Sequence, residues 1–356
     1  MTTYLLAGGG TAGHVNPLLA LADRIRLHEP EAVIIALGTS EGLESRLVPL
    51  RGYELATVER LPFPRKLNGY ALKFPARYSR AVKAVRELIK SRGVDVVVGF
   101  GGYASAPAYD AAKAEDIPLV IHEANALPGM ANRRGAKFAS AIAVAFDGTP
   151  LKKAVCVGMP LRAEIEALFS GVDKAAARKH FGLDESTVTL LVTGGSLGAK
   201  RINETIEASR HLFSAAGIQV LHIMGNRSEL PEVHEPHYVR IAYCDQMQLA
   251  ISAADVAISR AGAATVSEFT AIGLPAIYVP YPVGNGEQAL NAKSAVASDA
   301  ALIVKDADFT PAFVAETVVP LVSNSKRIAT MSAATALTGI TDGAERLYRL
   351  VAGVKG

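Results

Sequence analysis

The chain has 356 residues, half of them hydrophobic and a fifth charged, which suits a globular protein of about two domains. No stretch offers ~18 consecutive apolar residues, no basic segment leads into an apolar run at the start, and the two cysteines, Cys156 and Cys244, belong to no cluster with metal-ligand spacing. These features speak against a membrane-spanning helix, a secretory signal, a disulfide framework and a bound metal, and for reduced thiols in a cytosolic protein. The net charge of +3 hides an asymmetry: residues 1–163 hold 21 basic against 14 acidic side chains, and the remainder is net negative.

Residues 4–7 read as a buried strand, 8–13 as a glycine-rich turn and 15–28 as a helix. Gly8, Gly10 and Gly13 spell the G-x-G-x-x-G spacing of dinucleotide-binding turns. A NAD enzyme also needs an acid at the end of its second strand. That strand, 32–37, runs into Gly38-Thr39-Ser40, and the nearest acid is Glu41. His14 is not needed for pyrophosphate binding. At a helix N-terminus, where backbone N–H groups and the helix dipole attract anions, a neutral imidazole can serve as a base.

Residues 61–92 carry Arg65, Lys66, Lys73, Arg77, Arg80, Lys83, Arg86, Lys90 and Arg92 against one acid, Glu87. Leu61, Phe63, Leu67, Tyr70, Leu72, Phe74 and Tyr78 are interleaved with them. Such a mixture suits an anionic membrane surface, at about 1 kcal/mol per basic residue near the lipid. It also suits a solvated helix that buries Ala81, Val82, Val85, Leu88 and Ile89 as a core stripe. No recognition motif accompanies the charge, so nucleic acid is not expected.

Further buried strands are expected at 94–98, 119–122 and 142–145, with a short one ending at Val157. The turn after the first holds Gly99, Gly101 and Gly102, with Tyr103 and Ser105 offering hydroxyls. The turn after the second holds His122, Glu123 and Asn125, a polar group that packing does not readily explain. Arg133 and Arg134 follow as surface or membrane-facing residues. Beyond residue 163 the scheme restarts, with a strand at 188–192, a glycine turn at 194–198 and a helix at 201–215. Strands at 219–224, 238–241, 256–259, 276–280 and 301–304 follow. Alternating βα units imply parallel sheets covered by helices on both faces.

In the second half Ser196 is expected at a helix N-terminus, as a cap, a diphosphate contact or both. Glu268 lies on a helix of small and apolar residues, where a carboxylate needs a partner; a ribose diol is a natural one. Gln288 and Asn291, three apart, share a helix face, and their amides match sugar hydroxyls. Asp306-Ala307-Asp308 spells the D-x-D of metal-dependent transferases, but its place after a terminal strand reads as helix capping.

The segments GGGTAGH, FGGYAS, HEAN, Gly158-Met159-Pro160-Leu161-Arg162, GGSLGA and SRAGAATVSE, in this order and spacing, resemble those of the MurG family of N-acetylglucosaminyltransferases. The resemblance runs from Gly8 to about Ala292. It implies a GT-B fold, an α/β architecture of two doubly wound, Rossmann-like domains facing across a cleft. Residues 1–163 would form the acceptor and membrane-side domain, joined by a C-terminal helix within 342–356. Residues 164–341 would bind UDP-GlcNAc. The implied reaction is an inverting transfer of GlcNAc to the muramoyl 4-hydroxyl of lipid I, giving lipid II and UDP at the cytoplasmic face of the bacterial plasma membrane. No cofactor or metal is implied for the chemical step.

Carried over residue by residue, the resemblance assigns the donor to Thr11, Gly13, Asn125, Arg162, Ser196, Cys244, Glu268, Gln288 and Asn291. Gly10, Thr11, His14, Tyr103 and Glu123 face the acceptor. His14 and Glu123 are the two candidate bases. Glu287 stands where some members carry a second glutamine, which leaves open which side chain at 287–288 meets the sugar. A UDP-GlcNAc 2-epimerase, a NAD-dependent oxidoreductase and a non-catalytic membrane-recruited module are the competing readings.

Overall fold

A computed structural model describes residues 1–64, 66 and 68–355; Arg65 and Leu67 of the basic stretch lie outside the described residues. The chain divides into two compact units, Met1–Arg162 with Asp342–Gly356, and Ala163–Thr341.

In the first unit the strands are β1 (Thr3–Ala7), β2 (Val33–Gly38), β3 (Glu54–Thr57), β4 (Val96–Gly99), β5 (Leu119–Glu123), β6 (Ala141–Val144) and β7 (Val155–Cys156). They form one parallel sheet in the order β3-β2-β1-β4-β5-β6-β7. Successive side chains alternate between its two faces, so the continuous apolar runs need a core on each. Leu6, Leu18, Leu21, Val98 and Phe100 pack in one core, and Leu5, Ile35, Val85, Ile89, Val97 and Ile121 in the other. The helix Gly343–Ala352 adds Leu347 and Val351 to the first core. It is tied down by Glu345 to His28, by a stack of His28 on Tyr348, and by Lys355 to Glu29.

The second unit contains β8 (Thr189–Thr193), β9 (Gln219–Ile223), β10 (Val233–Glu235), β11 (Tyr238–Ile241), β12 (Val256–Ser259), β13 (Ala276–Tyr278) and β14 (Ala301–Ile303). Their order is β10-β11-β9-β8-β12-β13-β14, parallel except for the β10–β11 hairpin. In each sheet the strand order reverses once, between β1 and β4 and between β8 and β12. Ligands of open α/β sheets bind outside the carboxyl ends of the strands at such a switch point.

Three local expectations change. The helix expected at 201–215 is two, Lys200–Ala208 and Arg210–Ala215. Fully buried Ser209 turns its hydroxyl back to the carbonyl of Thr205 at 2.8 Å, which competes with the helical ladder and breaks it. The first helix starts at Ala12, because extended Thr11 is its N-cap, so Gly13 lies in its first turn. The edge strands β3 and β10 are additions; short and partly exposed, they lack an apolar run.

Candidate active site

Two glycine turns flank the switch point of the first sheet. Ala7 of β1 is in register with Gly99 of β4, so the turns that follow both strands leave the sheet side by side. Their backbones pack together. Gly102 has φ +88°, and a Cβ there would lie 2.5 Å from the carbonyl oxygen of Gly9. Ser105, offered above as a ligand hydroxyl, is instead fully buried. It bridges the two turns, 2.9 Å from the carbonyl oxygen of Ala7 and 2.7 Å from that of Gly101.

His14 is half-buried in the first turn of the helix Ala12–His28. Its Nδ1 lies 3.1 Å from the carbonyl oxygen of Gly9 and 3.3 Å from the Thr11 hydroxyl. A carbonyl only accepts, so Nδ1 carries the proton and Nε2 keeps its lone pair. Nε2 faces the second turn: a Cβ at Gly101 would be 3.3 Å from it. Burial lowers the imidazole pKa, against the opposing effects of the Gly9 bond and the charges of Glu123 and Glu44. The ring is therefore neutral near pH 7, with Nε2 able to accept a proton. At the start of the same helix, the N–H groups of Ala12 and Gly13 have no intrahelical acceptor by geometry and suit an anion. The N–H of Gly10 does not, because it donates to Glu44 Oε2 at 2.8 Å.

Glu123 is 3% exposed at the end of β5. Its Oε1 accepts from the N–H of Asn125 at 2.9 Å, and its Oε2 from the N–H of Gly129 at 3.0 Å and from Asn132 Nδ2 at 2.9 Å. Asn132 is held in turn by Tyr109, 2.7 Å away. Three donors on one carboxylate shape the loop 124–129. His122 is fully buried, with Nε2 3.0 Å from the carbonyl oxygen of Gly158, so it ties β5 to the segment leading to half-buried Arg162. Burial takes its pKa down to about 4. Of the polar group expected here, half-buried Asn125 is the side chain at the rim. Tyr103 is 37% exposed, with the Arg60 guanidinium 5.1 Å from its ring centre. Arg134 forms a two-pronged pair with Asp110, at 3.0 and 2.8 Å.

The second unit repeats the device. Thr193 of β8 is in register with Ser259 of β12. Ser196 is exposed in the turn after β8, but it does not cap the helix Lys200–Ala208, whose N-cap is Ala199. After β12 comes the helix Ala263–Ala271, with Glu268 half-buried between buried Ser267 and Phe269. Cys244 is 9% exposed, and burial raises its thiol pKa, so the thiol is protonated and unreactive.

Gln288 and Asn291 lie on the helix Glu287–Asn291, and both already bond backbone. Gln288 Oε1 accepts from the N–H of Tyr281 at 2.9 Å, which leaves its amide N–H groups as donors. Asn291 is 1% exposed and donates to the carbonyl of Ala261 at 3.2 Å, so it holds the turn before Glu268. Asp306 caps no helix: the 3-10 turn Asp306–Asp308 has no side-chain cap, and Asp306 pairs with Arg260 instead. Among the described residues no group of His, Cys, Asp and Glu could hold a metal ion.

Sequence reasoning missed Glu44, which reaches the glycine turn at Gly10, and Asn132, which holds Glu123, and it misread Asp306 as a cap.

The chain matches the N-terminal domain of glycosyltransferase family 28 over residues 4–144 and its C-terminal domain over residues 189–347. The UDP-N-acetylglucosamine–N-acetylmuramyl-(pentapeptide) pyrophosphoryl-undecaprenol N-acetylglucosamine transferase of Leifsonia xyli subsp. xyli is 56% identical, over 99% of this chain and 98% of its own length. The protein of that name from Streptomyces coelicolor is 46% identical, over 98% and 96%. Among solved structures, Acinetobacter baumannii MurG has a TM-score of 0.80 at 25% identity, over 99% of this chain and all of that one. A Neisseria meningitidis UDP-GlcNAc 2-epimerase, solved with UDP-GlcNAc, has a TM-score of 0.67 at 14% identity, over 99% and 100%, and shares the fold alone. With two GT-B α/β units, two switch-point turns and near-complete coverage at this identity, the chain belongs to the MurG family of N-acetylglucosamine transferases.

Proposed function

We propose that the chain transfers GlcNAc from UDP-GlcNAc to the muramoyl 4-hydroxyl of lipid I, forming lipid II and UDP. The observation that carries the reading is the His14 imidazole, neutral and with Nε2 bare, at the switch point of a family member's first sheet. An α-linked donor and a β-linked product call for one displacement with inversion. His14 takes the hydroxyl proton, a contribution typically worth ~10²–10⁴-fold. Glu123, the other candidate base, already accepts three hydrogen bonds and serves the loop.

The amides of Ala12 and Gly13 hold the lipid diphosphate, with Thr11 and Tyr103 beside it. Asn125 meets the donor sugar. In the second unit Glu268 takes the ribose, and the free amide of Gln288 takes sugar hydroxyls while Asn291 fixes the turn. Ser196 and Arg162 meet the nucleotide diphosphate, where amide dipoles and a guanidinium spread the leaving charge. This set calls for no metal in the chemical step.

Peripheral attachment to an anionic membrane is part of the reading. The helix Gly69–Arg92 is divided in kind. Its C-terminal half buries Ala81, Val85 and Ile89. Its N-terminal half leaves Leu72 85% exposed, while Tyr70, Phe74 and Tyr78, each four residues apart, line up on another side of the helix with Phe63, itself 61% exposed, against Phe74. No helix among the described residues is long and apolar enough to cross a membrane. The membrane-side surface in this reading is exposed Leu72 with the exposed cations Lys73 and Arg80 on the same helix.

Thermal unfolding with nucleotides tests the donor assignment. UDP at a hundredfold its Kd should stabilise the fold by about 2.7 kcal/mol, and NAD should have no effect. Protection by NAD instead would reverse it.

A further inference from the structure

We infer that Glu44 is a positioning residue for His14, acting through the peptide group that joins Gly9 to Gly10. This rests on His14 being the base. Glu44 opens the helix Glu44–Leu50 and is 1% exposed. Its Oε1 accepts from the Thr39 N–H at 2.7 Å and the Thr39 hydroxyl at 2.8 Å. Its Oε2 accepts from the Gly10 N–H at 2.8 Å. The carbonyl at the other end of that same peptide group, Gly9 C=O, accepts from His14 Nδ1 at 3.1 Å. One continuous chain runs from carboxylate to peptide to imidazole.

The chemistry follows from polarisation. A carboxylate drawing on Gly10 N–H pushes electron density towards the Gly9 oxygen and strengthens its bond to Nδ1–H. The proton is thereby kept on Nδ1 and Nε2 stays bare. In the transfer, the acceptor hydroxyl gives its proton to Nε2 while its oxygen forms the new bond to C1 of GlcNAc. The bond from C1 to the UDP oxygen breaks, and its electron pair leaves with UDP. The positive charge now on the imidazole faces the Gly9 oxygen, with Glu44 behind it; the proton passes to solvent afterwards. Hydrolase triads place a carboxylate directly behind a histidine in the same role. Here a peptide group stands between.

The local sequence fits this arrangement. A Cβ at Gly9 would lie 2.3 Å from Glu44 Oε1, so residue 9 must be glycine for the carboxylate to sit there. Burial pushes the Glu44 pKa up, but the bonds from Gly10 and Thr39 outweigh it and hold the group below the ordinary carboxylate range, so it is ionised. The other groups bearing on His14 are the carboxylate of Glu123 and the hydroxyl of Thr11. Glu123 is committed to Asn125, Gly129 and Asn132 and reaches no peptide of the glycine turn.

The first test needs no variant. In the full-length chain labelled with ¹⁵N-histidine, His14 should titrate as the Nδ1–H tautomer above its pKa; an Nε2–H tautomer would overturn the inference. The second uses Glu44→Gln and Glu44→Asp with UDP-GlcNAc and lipid I. Loss of the negative charge destabilises the imidazolium. Glu44→Gln should therefore lower kcat about tenfold and move the acid limb of kcat/KM down by roughly half a pH unit or more, with KM for UDP-GlcNAc little changed. Glu44→Asp should restore the position of the limb. A fall in kcat with the limb unmoved in Glu44→Gln would reduce Glu44 to a structural residue. His14→Ala separates the two claims: full turnover there sinks the base assignment itself, whereas an inactive His14→Ala beside an unmoved limb in Glu44→Gln sinks only the Glu44 role.

Discussion

Arg260 and Asp306 form an ion pair 2.5 Å apart, and the same guanidinium donates to the carbonyls of Val279 at 2.9 Å and Pro280 at 3.1 Å. The pair fixes the start of the loop that ends at the Gln288 helix. Asp306 thus serves this loop by charge pairing, where its D-x-D spelling suggested a metal or a cap. Removing the acid strands a largely buried guanidinium, which typically costs about 3–5 kcal/mol. Asp306→Ala should lower the melting temperature and raise KM for UDP-GlcNAc about tenfold, by the scale of 1.4 kcal/mol per decade. Turnover of the parent chain should be indifferent to EDTA. Strict dependence on a divalent ion would oppose this assignment.

Glu123 and Asn132 give a second prediction. Glu123→Gln places an amide N–H group against backbone donors, and an unmet buried partner costs about 1–3 kcal/mol. The expected result is a less stable protein whose turnover falls less than that of His14→Ala. Steady-state kinetics at a temperature where both variants are folded would decide it. A Glu123→Gln protein as inactive as His14→Ala, with stability intact, would return Glu123 to the base role.

Acid should weaken the fold through two buried histidines. Burial takes His122 to about 4 and His222 to about 3, from 6.5. A base with a lowered folded pKa favours the fold fully above its unfolded pKa. That contribution is lost as pH falls from about 6.5 towards 4 and then 3, at roughly 1.4 kcal/mol per pH unit per group. His222 sits between Asn203 and Tyr238, at 3.1 and 3.2 Å. Denaturant unfolding from pH 7 to 4 should show this slope, and His222→Gln should flatten part of it. Identical slopes in both proteins would refute the assignment to His222.

Attachment to membranes should depend on a few side chains rather than on the total charge of residues 61–92. Within the helix Gly69–Arg92, Arg77 pairs with Glu59, Arg86 and Lys90 with Glu115, Arg92 with Glu54, and Lys83 with Glu87. Lys73 and Arg80 form no ion pair among the described residues. Co-sedimentation with vesicles containing phosphatidylglycerol should fall several-fold in Lys73→Glu/Arg80→Glu, at about 1 kcal/mol per charge, and fall again with salt. Leu72→Asp should weaken binding at any ionic strength. Unchanged binding in both variants would place the membrane face elsewhere.

The strands flanking both switch points were legible because buried parallel strands are continuous apolar runs between glycine turns. The places of His14 and Glu268 on the helices after the switch-point strands, and the GGSLGA turn, were legible because their neighbours form recognisable spacings. Glu44 was not: the acid nearest the end of the second strand in sequence is Glu41, and nothing local shows that Glu44 folds back to Gly10. The pairing of Asp306 with Arg260 spans 46 positions and depends on β12 and the segment after β14 converging, which spacing alone does not encode. Ser209 looked like an ordinary helix residue and Ser105 like a ligand hydroxyl; only their burial shows that each spends its hydroxyl on backbone.

Incubation of the purified chain with UDP-GlcNAc and lipid I in detergent, with product analysis by mass and linkage, tests the central claim most directly. The account predicts one UDP released per β(1→4)-linked GlcNAc added to lipid I, and loss of that turnover in His14→Ala. Conversion or hydrolysis of UDP-GlcNAc with lipid I left unchanged would contradict it.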